Sequence, residues 1–103
     1  METRVARCLL LSKVLIADGI MTENERNFLE AAMDKLALTD DERKRVVELE
    51  GWNEAESALV ALSLEKKQEL VSELIDAATT DGRLSPLEAG MVQRISDALG
   101  IPR

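Results

Sequence analysis

Residues 18–25 read Asp-Gly-Ile-Met-Thr-Glu-Asn-Glu, and residues 81–88 read Asp-Gly-Arg-Leu-Ser-Pro-Leu-Glu. In both segments an Asp-Gly pair is followed by a hydroxyl residue three places after the glycine and by a Glu six places after it. A Thr or Ser three positions before a Glu is the pattern of a capping box, in which both side chains bond exposed amides at a helix start. Each segment therefore predicts that one helix ends, the chain turns and a second helix begins.

Apolar residues recur at three- and four-residue spacing along the rest of the chain, which is typical of amphipathic helices. The first predicted helix covers residues 2–17, and the later ones begin after polar residues that can cap them. These candidate caps are Thr22, Thr39, Asn53, Ser63 and Ser85. Aromatic residues make up only 2% of the chain, whereas strands are rich in them. The sequence predicts an all-α, single-domain compact bundle of five to seven helices.

The two Asp-Gly segments also indicate an internal duplication. A shift of 63 positions aligns Asp18 with Asp81 and Glu25 with Glu88, and apolar positions in the following helices align as well. We expect repeats at about residues 5–50 and 64–103, each containing a helix, an Asp-Gly turn and a second helix, within one domain spanning residues 1–103. Two such hairpins can bury their apolar faces against each other.

The residue types that are missing exclude several mechanisms. The chain has no His and a single Cys, which excludes a His-activated nucleophile, a His and Cys zinc site and an internal disulfide. Its formal charge is −7, from 20 acidic and 13 basic residues, which argues against binding of nucleic acid or anionic lipid surfaces. Carboxylate chemistry, or no chemistry, remains.

The N-terminal residues do not predict a targeting or membrane segment. A short apolar run follows Arg7, but Ser12 and Lys13 interrupt it and no small-residue cleavage pattern follows. No stretch approaches the roughly 18 apolar residues that would span a bilayer. We expect a cytoplasmic protein without direct membrane insertion, in which Cys8 is a small buried hydrophobic residue.

The acids of the duplicated segments are the candidate metal ligands. A twofold arrangement of the hairpins would bring together Asp18, Glu25, Asp81 and Glu88, with Glu23 and Asp76 as additional candidates. Clustered carboxylates repel one another unless a cation lies between them or some are protonated. Carboxylate oxygens favour hard divalent ions, namely calcium, magnesium or manganese. A standard EF-hand is not expected, because Val14, Ile16 and Ala77 would occupy ligand positions.

The same residues have a purely structural interpretation. Glycine allows the turn, Thr or Ser caps the next helix, and Glu completes the capping box. The sequence alone leaves both interpretations open.

The turn Ala-Asp-Gly-x-Met-Thr-x-x-Glu at residues 17–25, with its second copy at 81–88 in an acidic helical chain of this size, resembles the TerB-like family. That family includes the tellurite resistance protein TerB and the N-terminal region of the co-chaperone DjlA. The resemblance covers nearly the whole chain. It implies a compact helical bundle with duplicated hairpins and a metal-binding site made from the motif acids, here Asp18, Glu25, Asp81 and Glu88.

The resemblance and the residues together predict a non-enzymatic TerB-like module that binds divalent cations and acts in bacterial stress response or in tellurite or metal resistance. The alternative is a protein–protein interaction or scaffold domain, with a protein partner or a second copy of the chain, in which the motifs are only helix caps. Catalysis is not expected, because a small helical bundle without an aromatic-lined or basic cleft offers little to position a substrate.

Overall fold

The computed structural model describes residues 1–17, 19, 21–79 and 85–101, and within this part of the chain it contains helices and no strand. The six helices are α1 (Thr3–Leu15), α2 (Glu23–Lys35), α3 (Asp40–Val47), α4 (Trp52–Val60), α5 (Leu64–Ala78) and α6 (Pro86–Ala98). The predicted all-α, single-domain bundle is confirmed. None of these helices is both long enough and apolar enough to cross a membrane.

Four of the predicted helix caps form as expected. Thr22, Thr39 and Ser85 each belong to a complete capping box at the start of α2, α3 and α6. The hydroxyl of Ser63 accepts a hydrogen bond from the amide of Lys66 at the start of α5.

The prediction that Asn53 caps the fourth helix is wrong. Helix α4 begins one residue earlier, at Trp52, and the residue that precedes it is Gly51. Gly51 has a φ of 85°, a left-handed conformation that residues with a β-carbon adopt at a cost. The backbone turn of a glycine thus starts this helix, and no side chain caps it.

Helix α1 is the centre of the bundle. The sequence predicted an amphipathic helix here, but the side chains are buried on nearly every side of it. The buried residues are Val5, Ala6, Cys8, Leu9, Leu10, Leu11, Ser12, Val14 and Leu15. Each of the other five helices packs against α1, and α4 does so most extensively. A helix that buries side chains on nearly every side is enclosed by its neighbours. Helix α1 is enclosed in this way.

The outer helices bury only one face each, so some of their apolar residues lie outside the core. Three large apolar residues of these helices, Val47, Leu64 and Ile75, are 64%, 46% and 39% exposed. In α3 the neighbouring Val46 is fully buried against the core instead. An outer helix meets the bundle along one narrow stripe, so residues one position away from that stripe face solvent.

Cys8 is 1% exposed, as predicted for a small buried hydrophobic residue. Burial is the main cause that raises the pKa of its thiol, to about 11. The thiolate, which is the reactive form, is therefore disfavoured at neutral pH.

The internal duplication remains a prediction. The second Asp-Gly turn lies within residues 80–84, outside the described residues. The two helices that precede the turns also differ in surroundings, because α1 is buried nearly all round whereas α5 has a solvent face.

Replacing Leu59 by Ala will test the packing of α4 on α1. Leu59 is fully buried, and truncating a buried Leu typically costs about 2–5 kcal/mol of the free energy of unfolding. The matched control is Val60→Ala in the same helix, whose side chain is 44% exposed and whose loss should change stability by less than about 0.5 kcal/mol. Urea denaturation measures both. Equal losses for the two variants would contradict this arrangement of α4.

Candidate metal site at two helix N-termini

Glu25 lies in the first turn of α2 and is 5% exposed. Its Oε1 accepts a hydrogen bond from the amide of Thr22 at 3.1 Å, and the Thr22 hydroxyl accepts one from the Glu25 amide at 3.2 Å. One carboxylate oxygen is therefore used to cap the helix, and Oε2 takes no part in the cap.

Glu88 repeats this geometry in the first turn of α6, where it is 4% exposed. Its Oε1 accepts from the amide of Ser85 at 3.3 Å, and the Ser85 hydroxyl accepts from the Glu88 amide at 3.1 Å. The two predicted capping boxes thus each place a buried carboxylate at a helix N-terminus, with Oε2 left over.

These two buried carboxyl groups lie near enough for Glu88 to raise the pKa of Glu25. The Oε2 atoms of Glu25 and Glu88 are both buried, and neither has a hydrogen-bond partner among the described residues. Burial is the main cause that raises the pKa of Glu25, and the neighbouring carboxyl of Glu88 raises it further. The hydrogen bond from the Thr22 amide opposes this effect but does not reverse it.

The third capping box, at the start of α3, differs from the first two because its carboxylate forms an ion pair. Glu42, at the start of α3, makes the same two bonds with Thr39, but its carboxylate also receives two hydrogen bonds from the guanidinium of Arg4, at 2.8 and 2.9 Å. The amide of Thr39 and the Arg4 guanidinium hold the pKa of Glu42 below its usual range. Three similar local motifs therefore lie in different electrostatic surroundings, and among the described residues only the Glu42 carboxylate forms an ion pair.

The other predicted site residues are placed differently. Asp18 and Asp81 lie outside the described residues, and Glu23 and Asp76 are exposed. The described part of the chain contains no group of three or more acidic, Cys or His side chains that could hold a metal ion. Two of the predicted acids come together in the structure, and the set of four remains a prediction.

A pair of buried carboxylates of this kind has two ways to relieve its repulsion. The pair can share a proton, or a cation can bind between the two groups. A hard divalent ion suits two carboxylate oxygens, and Oε2 of Glu25 and of Glu88 would be the atoms that contact it.

A comparison with known protein families shows which family the chain belongs to. The model of the tellurite resistance protein TerB matches residues 4–103, which is nearly the whole sequence. The chain belongs to the TerB family. No curated protein and no solved structure matches it.

In this TerB-family protein, the sequence alone predicted Glu25 and Glu88 as candidate ligands. It did not predict that Arg4 pairs with the glutamate of the third capping box, Glu42. All three capping boxes look alike in sequence, and the pairing of Arg4 with Glu42 spans 38 positions. The one local signal was the Asp-Gly pair, which precedes the boxes of Glu25 and Glu88 but not that of Glu42.

Replacing Glu25 by Gln will raise the free energy of unfolding of the metal-free protein at pH 7. Glu side chains in an unfolded chain titrate near about 4.3, and the pKa of Glu25 is raised in the folded protein. The charged carboxylate therefore costs stability at pH 7, and this cost disappears as the pH falls through the folded-state pKa towards the unfolded value. The advantage of the variant should shrink over that range, as measured by urea denaturation in EDTA.

Glu42→Gln is the matched control, with the opposite sign. Because the pKa of Glu42 is lowered, its charged form stabilises the folded protein, and this contribution is lost as the pH falls from the unfolded value through the folded-state pKa. The Gln variant at this position should be less stable than the wild type at pH 7. A loss of stability at pH 7 for Glu25→Gln as well would contradict the repulsion between Glu25 and Glu88.

Proposed function

We propose that this TerB-family protein is a non-enzymatic module that binds a divalent cation between Glu25 and Glu88, with Asp18 and Asp81 as further ligands. Its context would be bacterial stress response or tellurite or metal resistance. The observation that carries the proposal is that the Oε2 atoms of Glu25 and Glu88 are both buried without a hydrogen-bond partner among the described residues, in two carboxyl groups that influence each other.

The energetics favour a bound cation. A buried carboxylate without a compensating partner is destabilising, and a second one beside it adds repulsion. Among the described residues no basic side chain forms an ion pair with Glu25 or Glu88, whereas Arg4 does so with Glu42. A divalent ion would balance both carboxylates at once.

The chemistry of the ligands limits the choice of ion. Carboxylate oxygens bind calcium, magnesium and manganese, whereas softer ions prefer Cys or His. The chain has no His, and its single Cys is buried in α1. Each Glu has one oxygen occupied by its cap, so each would bind the ion through one oxygen, and the remaining ligands would come from Asp18, Asp81 and water.

An ion in this position would join two helices that otherwise touch little. Helices α2 and α6 share no extensive packing, although both pack against α1. Their N-termini meet through Glu25 and Glu88. Binding would therefore fasten the start of α2 to the start of α6 and stabilise the whole bundle.

The burial of the pair supports a binding role over catalysis. Glu25 and Glu88 are 5% and 4% exposed, and two cavities of about 360 and 330 Å³ are lined by other residues. A substrate would have no access to these carboxylates, whereas a single ion needs only a small entrance.

The alternative is an interaction or scaffold domain in which the motifs serve only as helix caps. The complete capping boxes at α2 and α6 favour it, because each motif already performs its structural task. In that case the carboxyl pair would be held by a shared proton, and divalent ions would not change stability.

Titration with calcium, magnesium and manganese, followed by calorimetry and thermal unfolding, will test the proposal. We expect at least one of these ions to bind, and at an ion concentration 100 times the Kd the free energy of unfolding should rise by about 2.7 kcal/mol. Glu25→Gln and Glu88→Gln should each abolish this gain.

The matched control is Glu42→Gln, which removes the carboxylate of the third capping box and should keep the full response to the ion. Absence of heat and of stabilisation with all three ions would contradict the proposal and favour the scaffold alternative. An equal loss of response in the Glu42 variant would show that binding does not depend on the Glu25–Glu88 pair.

A further inference from the structure

A cavity of about 360 Å³ opens where α1, α2 and α5 meet, away from the Glu25–Glu88 pair. One wall is apolar and comes from α2, through the half-buried side chains of Phe28, Ala32 and Leu36. Pockets for small molecules usually fall between about 300 and 1,000 Å³ and combine an apolar lining with a few polar groups. This cavity is at the lower end of that range.

The polar groups of the cavity are charged and only partly paired. Arg7 on α1 donates through Nη2 to Glu73 on α5, but its Nε is buried and has no hydrogen-bond partner among the described residues. Lys35 on α2 lines the cavity and forms no ion pair in the described part of the chain. Two cations therefore share the cavity with one carboxylate, in a protein whose overall charge is −7.

We propose that this cavity binds a small organic monoanion, a carboxylate joined to a compact apolar body. A carboxylate matches the fork of donors on a guanidinium, and here it would take up donors of Arg7 that Glu73 does not use, with Lys35 beside it. The apolar body would cover Phe28 and Leu36. Since Glu73 leaves a single net positive charge, a monoanion is balanced and a dianion is not.

Benzoate and benzamide, which share a shape and differ in charge, are suitable probes for the full chain. We expect benzoate to shift the amide signals of residues lining the cavity in nitrogen–proton NMR spectra, with a Kd in the millimolar range. Benzamide should bind at least about tenfold more weakly, because it lacks the charge-assisted hydrogen bonds.

Two variants should move the affinity for benzoate in opposite directions. Lys35→Met removes a cation and should weaken binding about fivefold, whereas Glu73→Gln frees Arg7 from its internal partner and should tighten binding about fivefold. Lys44→Met, an exposed position on α3 outside this cavity, should leave the affinity unchanged. If Lys35 and Glu73 had purely structural roles, their variants would not change the affinity for benzoate in opposite directions.

Circular dichroism will confirm that each variant is folded before titration. The proposal is overturned if benzoate causes no shifts up to roughly 20 mM. It is also overturned if benzamide binds as well as benzoate, or if Lys35→Met and Glu73→Gln change the affinity in the same direction. Since the cavity does not include Glu25 or Glu88, none of these results depends on whether the protein binds a metal.

Discussion

The burial of α1 is the constraint on which the rest of the structure depends. A helix of 13 residues with nine buried side chains can be stable in water only if other helices enclose it, and the five remaining helices do so. That enclosure determines where α2 and α6 lie, because both pack against α1. Their N-termini, each with its own capping box, are thereby brought together so that Glu25 and Glu88 meet. The candidate site is thus a consequence of how the core is built.

The three capping boxes show how tertiary context assigns different roles to one local motif. Each box satisfies two amides at a helix start. At α3, Arg4 neutralises the remaining charge and the motif is complete within the protein. At α2 and α6 the two carboxyl groups influence each other instead. Carboxyl groups brought together in this way are stabilised by a proton or a cation, which is why we propose a bound ion at these two boxes and a structural role for the third.

The sequence predicts the local structure well and the tertiary surroundings poorly. Capping boxes depend on residues three positions apart, so the starts of α2, α3 and α6 could be read directly. The central position of α1 could not be predicted from the sequence, because an apolar stripe such as Val5, Leu9 and Leu15 also occurs on outer helices. Only the packing shows that Leu10 and Val14 are buried as well. The exposure of Val47 and the pairing of Arg4 with Glu42 depend on distant parts of the chain for the same reason. The repeated segments suggested that the two motif glutamates pair, whereas only the structure shows that, among the described residues, Glu42 has an ion-pair partner and Glu25 and Glu88 have none.

The central claim is that a divalent ion binds between the N-termini of α2 and α6, and paramagnetic manganese tests it most directly. In nitrogen–proton NMR spectra, a substoichiometric amount of manganese should broaden the amide signals of residues 22–25 together with those of Ser85, Leu87 and Glu88, because one bound ion would lie close to both segments. The signals around Glu42 should broaden less, since Arg4 already occupies that carboxylate and no ion is expected there. Broadening spread over the exposed acids, or confined to one of the two segments, would contradict the account.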